Sequence, residues 1–486
     1  MTVQPPYDEF VAQASSFTVV PVWREVFGDI DTPVGVFDKL GGAEGSVLLE
    51  SADSEERWGR FSFVGLDPLG VLTAAGGSVR WTGPVPLDLP DDASLAEALR
   101  ALLAAFRAPA VPGFPLYAGA VGFVGYDALG ESPSGGVDAT LVVPGSMLAF
   151  DQFRHVIRVL VNVVVEPAGD LRAQYDVATA KVDALVERLA SARTTLLPVD
   201  VPAAGDEPVD VGTDVPDADF ADVVRKAVTL VRSGVARQLV PSRIFTRQTE
   251  AVPLEVYRML RTFNPSPYMY LLRLPGATVV GSSPQVLVRV EQGTATVRPT
   301  AGTRRRTGDP LRDRELAVEL LEDAKELAEH KMLVELGVSD LEAVCRPGTV
   351  RVTEGPIVAR YSRVMHLISE VVGELAAGRD AVDALAATCP AGTVAGTPRP
   401  AAMAALRGLE TTPRHVYGGA IGYFDFSGNA DMCIAIRTVL FSDGLATVRS
   451  GAGVVEGSDP AEEVRETQAK ARALLDAIVA AERTRA

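Results

Sequence analysis

The chain has 486 residues, enough for two or three domains at roughly 150 residues each. Hydrophobic residues make up 47% and charged residues 22%, which excludes a mostly disordered chain. A formal charge of −17 argues against nucleic acid or an anionic membrane as the main partner, yet leaves room for a basic pocket that takes a small anion.

The N-terminal MTVQPP lacks a charged region followed by an apolar run, so no signal peptide is expected. β-rich runs at 18–22, 46–49, 62–64, 71–73, 118–123 and 154–165 alternate with turns, and helices are expected at 94–106 and 173–190. The run at 156–165 is the most apolar. It is interrupted by Arg158 and Asn162 and is too short to span a bilayer. Residues 196–217 (LLPVDVPAAGDEPVDVGTDVPD) carry no helical or strand period and read as a linker between regions 1–195 and 218–486. In the second region helices are expected at 220–233, 253–262, 312–337, 381–387 and 459–481. Strands are expected at 238–246, 268–272, 277–281, 285–291, 294–300, 419–424, 432–441 and 446–455. Consecutive strands with tight turns favour antiparallel pairing and an α+β architecture. Cys345, Cys389 and Cys433 have no metal-like spacing and cannot build a disulfide framework, which fits a soluble protein of a reducing cytoplasm.

Chemistry concentrates near the C-terminus. Ser458-Asp459-Pro460 supplies an N-cap and an N1 proline, and Glu463, Glu466 and Lys470 then share one helix face. Two carboxylates one turn apart suit a hard divalent cation. On spacing alone the plainer account, a solvated face with a Glu–Lys pair, takes precedence. Ahead of that helix, Gly451-Ala452-Gly453 would let backbone N–H groups approach a carboxylate or phosphate, although a tight turn explains it as well. Glu326 and Glu329 form a second acidic face, followed by His330; two such helices would suit a Mg²⁺ held between them. His366 lies in a largely apolar run, where a buried structural histidine comes ahead of a proton-transfer group. Arg437, in an apolar strand, calls for an anionic partner from either the protein or a ligand. Thr303 with Arg304, Arg305 and Arg306 follows Gly302 as a cationic corner, most simply a solvated charge run.

Taken together, these segments resemble anthranilate synthase component I, within the chorismate-utilising enzymes. The resemblance rests on QLVPSRIF (238–245), NPSPYMY (264–270), RPTAGTRRR (298–306), AEHKMLVELG (328–337), RYSRVMHLIS (360–369) and PAGTVAGTPR (390–399). It continues through YGGAIGYFDFSGNADMCIAIRT (417–438) and GAGVVEGSDPAEEVRETQAKA (451–471). In the first region it includes LLES (48–51), RWGRFSFVG (57–65) and GAVGFVGYD (119–127). It implies a two-domain fold with large antiparallel sheets packed between helices, and a Mg²⁺–chorismate site in the cleft. Glu329, Glu463 and Glu466 become the metal carboxylates. Thr393, Tyr417, Arg437, Gly451, Ala452, Gly453 and Lys470, with Gly302 and Thr303, become the substrate contacts. His366 becomes the histidine that handles the ring proton. Leu49, Glu50, Ser51, Asn264, Pro265, Tyr268 and Met269 become a tryptophan-like effector pocket.

Members that add water carry a Lys where Gln238 stands, so the resemblance favours ammonia as nucleophile. Members that form a covalent lysine adduct carry a Lys where Ala301 stands. Three motifs depart from the family pattern. The Glu of the SPE motif, which protonates the leaving C4 hydroxyl, is Gln285 here; LGRNDLG is LGVSDLE (336–342); GTLSGAPK is GTVAGTPR (392–399). They mark a diverged member, which suggests specialised metabolism. The first expectation is therefore Mg²⁺-dependent anthranilate formation, with ammonia from a separate glutamine amidotransferase subunit, since no glutaminase segment follows Ala486. The alternatives are a 2-amino-2-deoxyisochorismate synthase, another chorismate isomerase or lyase, and a binding-only homologue. No nucleic acid or membrane partner is expected, and homo-oligomerisation is left open.

Overall fold

A computed structural model describes residues 3–51, 59–130, 136–197, 200, 209–361 and 364–484. The quoted Arg57, Trp58, Ser362 and Arg363, and part of the 196–217 linker, lie outside the described residues. Strands and helices mix as an α+β chain, and every strand pairing among the described residues is antiparallel.

One hydrogen-bonded ladder folds into two halves. The first half runs, in spatial order, Gly212–Thr213, Ser242–Gln248, Leu445–Gly451, Thr438–Ser442, Ala277–Ser283, Tyr268–Leu274, Val47–Glu50 and Phe61–Ala75. Phe61–Ala75 pairs along its length with Val137–Asp151. The second half continues through Gly119–Val124, Ala420–Asp425, Ala430–Ile434, Val286–Glu291, Thr294–Val297, Val364–Glu374 and Arg351–Arg360. The two 15-residue strands pass from one half to the other at a register shift between Pro68 and Gly70, with Pro68 opposite Pro144. A bulge there bends both strands, which is where paired prolines can be tolerated.

Regions 1–195 and 218–486 do not own separate sheets. Val47–Glu50 pairs with Tyr268–Leu274, and Gly119–Val124 pairs with Ala420–Asp425, so the ladder crosses the linker twice. The linker itself contributes a two-residue strand, Gly212–Thr213, against Ser242–Gln248.

Residue alternation shows how the first half is buried. Val19, Val47, Tyr270, Leu272 and Val279 join one core with Val121, Ile421 and Met432 of the second half. Their neighbours Val20, Leu48, Leu271 and Val280 join a second core under helices Tyr7–Ala14, Pro33–Leu40, Leu171–Ser191, Pro253–Phe263 and Pro460–Arg483. Both faces of these strands are apolar, which is why they read as continuous hydrophobic runs.

Several expected elements are broken, each for a local reason. The helix expected at 312–337 is two helices, Pro310–Glu322 and Ala324–Glu342. Asp323 ends the first and caps the second, accepting from the N–H groups of Lys325 (3.0 Å) and Glu326 (3.2 Å). The strand expected at 238–246 stops at Pro241: Gln238–Leu239 pairs with Gly396–Thr397, while Ser242–Gln248 joins the large sheet. Pro299 likewise divides the strand expected at 294–300. The strand expected at 432–441 breaks at Arg437, whose φ of 51° is left-handed.

Candidate active site

The sequence-predicted site residues gather where the chain crosses between the two halves. Two crossings run side by side, from Ser283 to Val286 and from Ile434 to Thr438. The Ser283 hydroxyl donates to Ile434 O (2.6 Å), Ile434 N–H to Gln285 O (3.0 Å), and Ser282 N–H to Arg437 O (3.0 Å). Gln285 and Arg437 are therefore placed by backbone bonding before their side chains do anything.

Arg437 reaches the C-terminal helix, where its Nη1 donates to Lys470 O (2.6 Å). Lys470 Nζ in turn donates to Gly451 O (3.0 Å) and pairs with Glu466 (2.6 Å). The helix starts as its sequence predicts: Asp459 accepts from the N–H groups of Ala461 and Glu462, both at 3.0 Å, with Pro460 at N1. The preceding turn is tight. Ala452 is fully buried and donates to Pro241 O (3.1 Å). A Cβ on Gly451 would stand 2.8 Å from Pro241 O and 2.9 Å from the Tyr417 hydroxyl; one on Gly453 would stand 2.9 Å from Gln238 Nε2. Small residues are thus required where Tyr417 and Gln238 close on the turn.

The acidic residues converge from two helices. Glu329 keeps contact with water, yet protein atoms crowd its carboxyl. That desolvation, with the neighbouring carboxylates of Glu326 and Glu466, pushes it above the ordinary value against Lys325 and Lys470. Burial and Glu466 also push Glu463 up against a Ser458 hydrogen bond, and its Oε2 is buried without a hydrogen-bond partner. Among the described residues no three acidic, histidine or cysteine side chains form a compact ligand cluster. The orphaned oxygen and the like-charge crowding nonetheless fit a divalent cation bound by Glu329, Glu463 and Glu466.

His366 lies on strand Val364–Glu374, opposite Thr303 in the ladder. Its Nδ1 is 2.9 Å from Gly302 O and 3.1 Å from Thr303 Oγ1. A carbonyl can only accept, so Nδ1 carries the proton and the neutral ring keeps its lone pair on Nε2. Burial, with Arg437 nearby, lowers the His366 pKa against the Gly302 bond. The cationic corner is less cationic than its sequence: Arg304 pairs with Asp323 (2.7 Å) and Glu326 (3.2 Å), and Arg306 with Asp313 (2.9 Å).

Gln285 and Thr393 line a cavity of about 470 Å³ with Thr300, Arg298 and Asp340. Thr393 Oγ1 is buried and has no hydrogen-bond partner. Neither Arg298 nor Asp340 was singled out from the sequence, because strand and helix patterns do not reveal which side chain faces a void. Burial pushes the Asp340 carboxyl up to about 6 despite its ion pair with Arg399. Asp340 lies eleven residues beyond Glu329, roughly 16 Å along the helix, so it closes the far end of this region.

A second cavity, about 680 Å³, holds five of the seven expected effector residues: Leu49, Glu50, Ser51, Tyr268 and Met269. Strand pairing brings them together, Met269 opposite Glu50 and Tyr270 opposite Leu49. Asn264 and Pro265 are not among the residues that line it. Asn264 instead ends helix Pro253–Phe263 and donates from Nδ2 to Ser282 Oγ (2.9 Å). The wall is completed by Phe61, Phe63, Arg289, Tyr423 and Asp431, with the Tyr268 hydroxyl donating to Asp431 (2.6 Å).

Known proteins resemble this chain in sequence and fold. The family model described as chorismate binding enzyme matches residues 46–476. The chain belongs to this family. Anthranilate synthase component 1 of Mycolicibacterium smegmatis is 41% identical over 493 residues, covering 98% of this chain and 93% of that protein. Its Pseudomonas aeruginosa counterpart is 38% identical, covering 98% and 99%. The crystal structure of anthranilate synthase component I from Streptococcus pneumoniae superposes with a TM-score of 0.74 at 31% identity, covering 93% of this chain and 99% of that one. The menaquinone-specific isochorismate synthase of Escherichia coli shares the fold, with a TM-score of 0.70 at 19% identity and coverage of 97% and 98%. No helix among the described residues of this chorismate-binding enzyme is long and apolar enough to cross a membrane.

The two glycines of the turn should respond differently to an added methyl. Gly453→Ala meets only the far end of the Gln238 side chain and should change unfolding free energy by less than about 0.5 kcal/mol. Gly451→Ala meets a backbone carbonyl as well and should cost more than about 1 kcal/mol. Equal denaturation midpoints for the two variants would refute this account of the turn.

Proposed function

We propose that the protein converts chorismate and ammonia to anthranilate, pyruvate and water, with Mg²⁺ bound by Glu329, Glu463 and Glu466. The observation that carries the reading is the meeting of Arg437, Lys470 and the Gly451–Gly453 turn with those three carboxylates on one cleft. Such a set suits a substrate with two carboxylates, one for the cations and backbone and one for a metal. When bound, Mg²⁺ would neutralise a substrate carboxylate and stabilise negative charge at the ring. The anthranilate synthase component 1 relatives support the same choice of reaction.

Each residue then has a definable task. Tyr417, Thr393 and Arg437 orient the carboxylates, and the buried unpartnered Thr393 hydroxyl is available to do so. Gln238 offers no basic group, so it cannot deprotonate water; ammonia needs no such help. His366, with its lone pair on Nε2, takes the ring proton as pyruvate leaves. The C4 hydroxyl must depart with a proton, and the Gln285 amide has none of useful acidity. Ammonia is supplied by a separate glutamine amidotransferase subunit, and the cavity beside Leu49–Ser51 takes a tryptophan-like effector. Its aromatic wall of Phe61, Phe63 and Tyr423, acidic Glu50 and Asp431, and basic Arg289 match an aromatic amino-acid zwitterion.

Incubation with chorismate, ammonium and Mg²⁺, followed by product analysis, tests the reaction itself, and chorismate consumed without anthranilate overturns it. Restoring the acid with Gln285→Glu should raise anthranilate formation at least about tenfold, since a positioned general acid is worth about 10²- to 10⁴-fold. A fast wild type that Gln285→Glu slows would replace this reaction with another chorismate conversion.

The pH profile follows from His366. Its folded-state pKa is below the ordinary 6.5, so the proton-accepting form persists through neutral pH and is lost only as pH falls through the lowered value. The acid limb of kcat/KM should therefore lie below pH 6.5, and His366→Gln should remove it. A limb centred above 6.5 would exclude His366 as the base.

Calorimetry with L-tryptophan tests the effector cavity. Binding should be detectable, and Asp431→Ala should weaken it. No binding at about millimolar ligand, equivalent to about 4 kcal/mol, would remove this assignment.

A further inference from the structure

Behind Tyr417 lies a buried charge cluster that no step of the proposed reaction uses. Glu410, at the end of helix Arg399–Leu409, accepts from Ser242 N–H (2.7 Å), the Ser242 hydroxyl (2.7 Å), Arg414 (2.6 and 2.8 Å) and Arg449 (3.2 Å). The three charged side chains are 8%, 3% and 5% exposed. Burial works to raise the Glu410 carboxyl, but Arg414 and Arg449 hold it below the usual range.

Arg414 does more than neutralise Glu410. It donates to Val394 O and Val240 O, each at 2.6 Å, and its guanidinium lies 4.5 Å from the Tyr126 ring and 5.7 Å from the Tyr417 ring. Arg414 O also receives the Tyr417 N–H (3.0 Å). Val394 adjoins Thr393. Val240 precedes the Pro241 whose carbonyl meets Ala452, and Ser242 pairs with Gly451. The segments presenting Thr393 and the Gly451–Gly453 turn thus hang on one guanidinium, which also lies beside the Tyr417 ring. Within the hydrogen-bonded cluster two guanidiniums share one carboxylate; Asp127 and Asp214 act on them only from outside it.

We infer that Arg414, held by Glu410, is a positioning residue that sets Tyr417, Thr393 and the glycine turn for the substrate's carboxylates, with the excess positive charge behind Tyr417 favouring the bound anion. This rests on the proposed function and deepens it. A group that organises ground-state contacts kept through the reaction changes KM and leaves kcat nearly alone. Lysine keeps the charge but cannot span a carboxylate and two carbonyls in a fixed fork.

The test compares Arg414→Lys and Arg414→Gln with wild type by steady-state kinetics, by calorimetry with chorismate and Mg²⁺, and by thermal midpoint. Arg414→Lys should raise KM for chorismate about tenfold and Arg414→Gln further, with kcat within about threefold, as loss of charged hydrogen bonds predicts. A folded Arg414→Lys whose KM stays within about twofold of wild type, whatever its melting point, overturns the inference. If the Arg414 variants do not fold, Glu410→Gln removes the charge that holds Arg414 and should still raise KM at least about threefold; an unchanged KM overturns the inference there too. If wild type binds chorismate without forming anthranilate, the reaction assignment falls, and the calorimetric Kd decides the role of Arg414 by the same fold-changes.

Discussion

The site depends on two adjacent strand crossings that must keep their backbone groups bonded while leaving one half of the sheet for the other. Buried N–H and C=O groups cannot go unpaired without a cost of a few kcal/mol each. The chain meets this constraint by bonding the crossings to each other, with Ser282, Ser283 and Gln285 on one and Ile434 and Arg437 on its neighbour. Arg437 adopts its left-handed backbone at this corner, and its side chain is released from the strand towards the C-terminal helix. Gln285 is fixed on the opposite crossing by the same exchange.

Electrostatics complete what the backbone begins. Arg437 is largely buried, and desolvation lowers its pKa while Tyr417 and Glu466 support the charge. Arg414 and Arg449 share Glu410 behind Tyr417, and Lys470 spends its charge on Glu466 and a carbonyl. Buried positive charge of this density is stable only where anions answer it. Beside these cations, Glu329 and Glu463 carry the opposite problem, carboxylates crowded enough to be pushed above their ordinary range. A dianionic substrate and a divalent cation would relieve both sides together.

Much of this was legible in the sequence where a residue's own chemistry fixes its place. The cap at Asp459-Pro460 and the face Glu463–Glu466–Lys470 stand where helix periodicity puts them. Among the motif-carried residues, Tyr417 stands against Gly451, and Arg437 lies near both Tyr417 and His366. What pattern could not supply was whatever depends on the partner strand. Val137–Asp151, with Pro144-Gly145 at its centre, is not among the expected strands and is a 15-residue strand, because Pro144 sits at a bend opposite Pro68. Arg351–Arg360 and Val364–Glu374 were missed as strands; the first exposes most of its residues and has no clean alternation. Asp431 and Arg289 reach the cavity beside Glu50 through cross-strand register.

The two cavities are closer in the fold than their contents suggest. Cys433 lines the one beside Glu50, and Ile434, the next residue, lines the one that holds Gln285. Side chains alternate along a strand, so Ala430–Ile434 is a shared partition with a cavity on each face. Val286 pairs with Cys433, and Gln285 O holds the N–H of Ile434. Any movement of this strand towards one cavity therefore carries Gln285 with it in the other. A ligand beside Asp431 changes chemistry at Gln285 to the extent that it binds two arrangements of this partition unequally, and by reciprocity chorismate would then change the affinity for that ligand by the same factor. The partition strand is hydrogen-bonded on both edges, to Ala420–Asp425 and to Val286–Glu291, so it moves together with its neighbours.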